Sequence, residues 1–250
     1  MTLVVRTWNL FHGRTAPQTR SLHLATMVRL IADGDPDVVG LQEIPVWGLR
    51  RLEKWSGMRA IEVVTMPALG GPLARQVTDL DPVRLRSLLT GQGNAVLLGP
   101  RVEVVGEPRS VRLNPKSLRR TVDLPARRRR EWAWNQRLAQ VVNLHLAGME
   151  LVLVNLHASK AAGLATVELD RFADVLPSGA AVVVGDLNVP STTLPGFSQP
   201  IEGIDQILVR DLDFDEAPRH WPAERRRVGG HLLSDHAPVE ATVRLGSPVR

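Results

Sequence analysis

The stretch Arg137–His157, RLAQVVNLHLAGMELVLVNLH, holds two apolar, valine-rich runs that meet at Gly148. Two such runs joined by a glycine turn read as a long β-hairpin. Eight more short runs flank it: LVVRTW from Leu3, DVVGLQ from Asp37, AIEVVT from Ala60, NAVLLG from Asn94, VEVVG from Val102, AAVVVGD from Ala180, DQILVRD from Asp205 and PVEATVRL from Pro238. Each fits a buried or half-buried strand. Helical spacing covers Thr19–Ala32, with Leu22, Ala25, Val28 and Ile31 on one face. It recurs in Gly163–Leu176, with Leu164, Val167, Leu169, Phe172, Ala173 and Leu176. Residues 46–55 and 81–90 are shorter helix candidates. Ten strands and four helices predict an α/β (α+β) fold, two packed sheets with helices outside, formed by residues 1–250 as a single domain. No G-x-G-x-x-G follows the first strand, which argues against a dinucleotide-binding fold, and no internal repeat is visible.

Hydrophobic residues make up 44% of the chain, which excludes a disordered protein. Tyrosine is absent and aromatics are 4%, so the core must be aliphatic. The absence of cysteine excludes disulfides, thiolate catalysis and cysteine-bound zinc. No run approaches the ~20 apolar residues of a membrane span. A strand beginning at Leu3, with no basic-then-apolar leader before it, sets the expectation of a cytoplasmic protein, acting as a monomer.

The net charge is +5, and only Lys54, Lys116 and Lys160 of its 31 basic residues are lysines. Arginine forks match phosphates, although a GC-rich genome gives the same bias. The basic residues concentrate in Gly106–Asn135, where Arg109, Arg112, Lys116, Arg119, Arg120, Arg127, Arg128, Arg129 and Arg130 face only Glu107, Asp123 and Glu131. This segment reads as a long Arg-rich surface loop. It either binds a nucleic-acid backbone, with Trp132 and Trp134 stacking on bases, or is a solvated loop; the composition slightly favours the solvated loop. Arg137, just after it, is placed either to meet a substrate or to pair with a sheet carboxylate.

The polar residues that terminate the apolar runs carry the functional signal. Asn9, Glu43, His157 and the pair Asp186 and Asn188 end four of them; Asp205 opens another, and Asp235 and His236 precede the last. Sheets hold ligands beyond their strand ends. Ser234, Asp235 and His236 are the residue types of a serine-hydrolase triad, but neighbours leading into a strand point to opposite faces and cannot converge. There is also no G-x-S-x-G to present a serine. Oxygen donors from Asn, Asp and Glu, without cysteine or H-E-x-x-H, favour Mg2+, with Mn2+ as a substitute, over zinc. A magnesium site in basic surroundings suits phosphate-ester chemistry.

At these residues the sequence resembles the endonuclease/exonuclease/phosphatase superfamily of DNase I-like and exonuclease III-like phosphohydrolases. The matching pieces, in the family's order, are TWNLFHG, DVVGLQE, GQGNAVLL, VNLHAS, VVVGDLNVP, GIDQILV and LSDHAPV. The resemblance implies a four-layer sandwich, two mainly antiparallel sheets flanked by helices, with the site at their open ends. It implies Glu43 as principal Mg2+ ligand, with Asn9 and Asp235 in the metal shell. Asp186 would orient or deprotonate the attacking water. Asn188 and His157 would donate to phosphoryl oxygens, and His236, held by Asp205, would contact the phosphate. Asn94 matches a position near the substrate. Two departures stand out. Exonuclease III-like enzymes often carry an acid two positions after the first-strand Asn, where this chain has Phe11 followed by His12. Only sixteen residues, 189–204, separate Asn188 from Asp205, where abasic endonucleases carry a longer insert.

Three functions are compatible with these residues: hydrolysis of a DNA or RNA phosphodiester, hydrolysis of a small or lipid phosphate ester, and non-catalytic binding on the same scaffold. The presence of every carboxylate and histidine expected in the core site counts against the third.

Overall fold

The structure is a computed structural model that describes every residue except 20, 70–88, 122–124, 127–128, 130–131, 133–134, 191–193, 199–200 and 247–250. The first sheet holds six strands: β12 (Asp213–His220), β15 (Val239–Arg244), β1 (Thr2–Asn9), β3 (Val38–Ile44), β5 (Gln92–Leu98) and β4 (Arg59–Met66), in that order. The second runs β11 (Asp205–Arg210), β10 (Ala181–Asp186), β9 (Met149–His157) and β8 (Leu138–Leu146). Both β6 (Glu103–Val104) and β7 (Arg109–Arg112) pair with the outer edge of β8. Among the described residues only β1–β3 and β9–β10 run parallel. A small third sheet joins β2 (Thr15–Ala16), β13 (Arg227–Val228) and β14 (His231–Leu233).

Side-chain alternation along each strand builds three apolar layers. Leu3, Val5, Val38, Val96, Val142, Leu153, Val182, Val184 and Val239 meet between the two sheets. Trp8, Val39, Leu41 and Leu97 point the other way and pack under Met27, Val28 and Ile31 of the helix Leu24–Ala32. Val152, Val154 and Val183 pack under Ala165, Leu169 and Phe172 of the helix Ala162–Val175. The result is the helix–sheet–sheet–helix sandwich expected from the sequence. Burying each of these aliphatic side chains contributes roughly 1.5–3 kcal/mol. The sheets pack tightly at Gly40, where a Cβ would collide with Val184.

All ten predicted strands are present. The helix expected from Thr19 starts at Leu24, because Thr15 Oγ1 hydrogen-bonds Pro17 O and Thr19 Oγ1 and so holds a turn, and His23 N is committed to Gly13 O. Residues 46–55 form two short helices, Val46–Leu49 and Leu52–Ser56. Residues 81–88 lie outside the described residues. The Arg-rich segment is not a plain loop: it supplies β7 and the helix Lys116–Thr121. Asn114 ties it down, donating to Trp132 O and Asn135 O and accepting from Arg137 N. Trp132 is 4% exposed and its indole donates to buried Glu168, so it is a core anchor and not a stacking platform. Trp134 lies outside the described residues. Among the described residues, no helix is long and apolar enough to cross a membrane.

Candidate active site

Strand register assembles the site. On the second sheet His157, Asp186 and Asp205 are direct partners across β9, β10 and β11. Each shares its strand's inward parity with the valines and leucines of the inter-sheet core. All three lie on one rung, adjacent strands being about 4.8 Å apart. On the facing sheet Asn9 ends β1 on the inward side, and Gln92 and Asn94 open β5 on theirs.

Glu43 breaks the alternation. Gln42 already points inward, so Glu43 should face the helix layer with Leu41. Between Leu41 and Ile44 the register slips, and Gln42 and Glu43 together oppose Asn94. This bulge, with a φ of 53° at Glu43, turns its carboxylate back into the site. Positive φ recurs around the site at Phe11, His12, Asn188 and Ser234. Strain of this kind persists where packing over-determines it, and it clusters at functional sites.

The side chains meet around Asp186, which is fully buried. Its Oδ2 accepts from Asn9 Nδ2 at 2.9 Å, and its Oδ1 accepts from Asn188 N at 3.1 Å. His157 Nε2 lies 3.5 Å and His236 Nε2 3.8 Å from Oδ2. Burial, with Asp205 alongside, raises the Asp186 carboxyl to about 7, against the opposing pull of His236 and Asn9. His236 Nδ1 is 2.8 Å from Asp205 Oδ2. Burial disfavours the His236 cation, but the bond and charge of Asp205, helped by Asp186 and Asp235, outweigh it and raise His236 to about 9. His157 goes the opposite way: burial first, then Arg137, hold it well below its ordinary value. Gln92 Nε2 lies 3.2 Å from His157 Nδ1, so that nitrogen accepts and the neutral ring carries its proton on Nε2, facing Asp186 and Glu43.

Each residue singled out from the sequence has a definite place. Asn9 Oδ1 accepts from Phe11 N, and its second lone pair remains. Asn188 Nδ2 donates to Ala158 O at 3.0 Å. Asn94 is buried with no hydrogen-bond partner on either amide atom. Asp235 is exposed at the mouth, and partial burial, near Glu43, raises its carboxyl. Arg137 Nε donates to Ser159 Oγ, which donates in turn to Glu168 of the helix Ala162–Val175, so Arg137 reaches a helix carboxylate through Ser159. Ser234 is a buried turn residue: its hydroxyl donates to Asn9 O and accepts from His236 N. Gln92 was not singled out, although its place two residues before Asn94 gives it the same inward face.

One pleat deeper lies a ladder of buried amides. Gln42 Nε2 donates to Thr7 Oγ1 and to Asn155 Oδ1, and Asn155 Nδ2 to Gln140 Oε1, Leu41 O and Ala95 O. It ties the sheets together directly beneath the site.

Among the described residues one cluster of donors has the spacing to hold a cation. It comprises Asp186, Asp205 and His236, whose ligand atoms lie within 4.8 Å of one another. The protonated His236 ring already places a positive charge there. Apart from that cluster, His12 Nε2 lies 3.6 Å from Glu43 Oε2. Hard oxygens without cysteine suit a divalent ion. Buried His157 Nε2, Asp205 Oδ1 and the Asn94 amide also lack partners, so the site is unsatisfied without a ligand.

A family model described as the Endonuclease/Exonuclease/phosphatase family matches residues 7–236. The chain belongs to this family. Its members hydrolyse phosphate esters, often in nucleic acids, and are generally dependent on a divalent metal. Among solved structures, an endonuclease/exonuclease/phosphatase from Beutenbergia cavernae is 18% identical, with a TM-score of 0.73 over 99% of this chain and 72% of that one. The endonuclease/exonuclease/phosphatase from Bacteroides vulgatus is 17% identical, with a TM-score of 0.68 over 98% and 100%. Truncated Caenorhabditis elegans TDP2 is 14% identical, with a TM-score of 0.63 over 97% of each chain. These likenesses establish the shared fold. No curated protein matches the chain.

Proposed function

We propose that this protein is a phosphodiesterase that cleaves nucleic acid by in-line attack of water, with Mg2+ or Mn2+ as its ion. The observation that carries the reading is the buried rung His157–Asp186–Asp205, with His236 closing it and Glu43 opposite. Glu43 is the principal ligand, with Asn9 and Asp235 beside it. When bound, the ion would polarise a phosphoryl oxygen and offset its charge.

The chain's own groups divide the remaining work. Asp186, poised near neutrality, holds the attacking water and takes its proton. His236 keeps its proton through Asp205, so it acts as a cation against the pentacoordinate phosphate and not as the base. The His157 Nε2–H donates to a phosphoryl oxygen, as does the second hydrogen of Asn188 Nδ2, and the Asn94 amide meets the substrate nearby. Arg137 supports the turn after His157 and helps keep that ring neutral.

Nucleic acid is favoured by the cations around the mouth. Arg137 and Lys160 act on His157, and Arg226 interacts with Asp235 and Asp205. Cations so placed suit a polyanionic backbone. A second reading, hydrolysis of small or lipid phosphate esters, is favoured by the burial of Trp132, which removes one base-stacking surface. The test is hydrolysis of plasmid, single-stranded oligonucleotide and small phosphate esters side by side, with Mg2+ and with EDTA, and with Asp186→Asn as control. Metal-dependent strand cleavage lost in the variant supports the nuclease. Turnover of small esters alone moves the reading to a phosphatase.

A further inference from the structure

After β1 the chain enters a turn in which Phe11, His12 and Gly13 have φ of 47°, 55° and 79°. Two successive non-glycine residues in the left-handed region cost about 1–2 kcal/mol each, so packing must hold them there. Gly13 is pressed against Leu24, 2.8 Å from where a Cβ would sit, and its carbonyl accepts from His23 N at 2.8 Å. Arg14 O accepts from Ser234 N at 2.9 Å. The consequence is a buried His12 aimed at Glu43, which its own bulge and positive φ turn toward it. Two separate backbone distortions thus direct an imidazole and a carboxylate at one point.

The spacing of that pair is informative. A charge-assisted hydrogen bond between them would close to about 2.7–2.9 Å. His12 Nε2 and Glu43 Oε2 stand 3.6 Å apart. Two ligand atoms each about 2.1 Å from one ion stand about 3 Å apart at a right angle and about 4 Å apart when opposed. We propose that His12 is a direct ligand of the ion held by Glu43, so that the site selects a first-row transition ion such as Mn2+ or Co2+ over Mg2+. Magnesium takes oxygen ligands and binds imidazole poorly, whereas transition ions accept nitrogen. The inference rests on the metal-dependent reading above and specifies its ion.

The test is pulsed electron paramagnetic resonance of the full chain loaded with Mn2+, together with calorimetric titration of Mn2+ and of Mg2+. Wild type should show nitrogen modulation on the Mn2+ signal. His12→Ala should lose it, weaken Mn2+ binding about 10–100-fold and leave Mg2+ binding within a few-fold. His12→Asn, a residue type that tolerates positive φ, should give the same result if the alanine variant fails to fold. Nitrogen modulation that survives at His12→Asn but vanishes at His157→Gln would overturn the assignment, as would equal loss for both ions. If the wild type binds Mn2+ without nitrogen modulation yet hydrolyses phosphodiesters, only this inference falls. If it binds no divalent ion and turns over in EDTA, the metal-dependent reading falls with it.

Discussion

Asp186→Asn is expected to abolish hydrolysis and yet make the metal-free protein more stable above pH 7. Burial, with Asp205 beside it, raises the Asp186 carboxyl from an ordinary 3.8 to about 7. The unfolded chain ionises near the ordinary value, so between the two values the folded state binds more protons. Stability therefore falls as pH rises through that window, and the whole cost is present above it. Each pH unit inside the window is worth about 1.4 kcal/mol, so from about pH 5 to about pH 7 the wild type loses on the order of 3 kcal/mol through this one group. Asparagine does not titrate and escapes the loss. It carries a constant cost of about 1–2 kcal/mol, because Asp186 accepts from both Asn9 Nδ2 and Asn188 N while an amide accepts on one atom only. The two stability curves should meet near pH 5 and separate in the variant's favour by about pH 8. Urea unfolding in EDTA across that range measures this directly. Parallel curves, or a variant that falls behind as pH rises, would refute the reasoning.

Other groups give independent expectations. Asp205→Asn removes the partner that holds the His236 proton against burial, so the alkaline limb of kcat/KM should move to lower pH and an NMR titration of His236 should follow it. Because His236 is raised, its contribution to stability is complete below its ordinary 6.5 and is lost as pH rises through about 9; the variant should lack that alkaline loss. Asn155→Ala strips the partners of Leu41 O, Ala95 O, Gln140 Oε1 and Gln42 Nε2. It should cost roughly 3–5 kcal/mol in denaturant unfolding. Trp132→Phe should cost about 1–3 kcal/mol through Glu168 and leave nucleic-acid affinity unchanged in a gel-shift titration; a tenfold loss of affinity at equal stability would contradict its role as a core anchor.

What was legible in the sequence followed from periodicity. Valine-rich runs alternate or stay apolar because both faces of each sheet are covered, and their polar ends mark where the cover stops. Asn9, His157, Asp186 and Asp205 were readable for that reason: each keeps the inward parity of its strand. Glu43 was readable as the polar end of its run, but its direction was not, since strict alternation points it at the helix layer and only the bulge brings it back. β12 escaped because it is an exposed, charged edge strand containing Pro218. Gln92 and the Gln42–Asn155–Gln140 ladder depend on register between sheets, which no single strand encodes. Trp132 looked like a surface aromatic among arginines, because nothing local reveals its partner Glu168, thirty-six residues on.

The most direct test of the central claim is phosphodiester hydrolysis by wild type and Glu43→Gln, each in EDTA and with Mg2+ or Mn2+ restored, alongside the thermal shift on adding the ion. Wild type should be silent in EDTA and recover with the ion, gaining thermal stability as it binds. Glu43→Gln should fold, show no gain and lose at least a hundredfold in rate. Turnover undiminished by EDTA, or a Glu43→Gln protein working near the wild-type rate, would contradict the account.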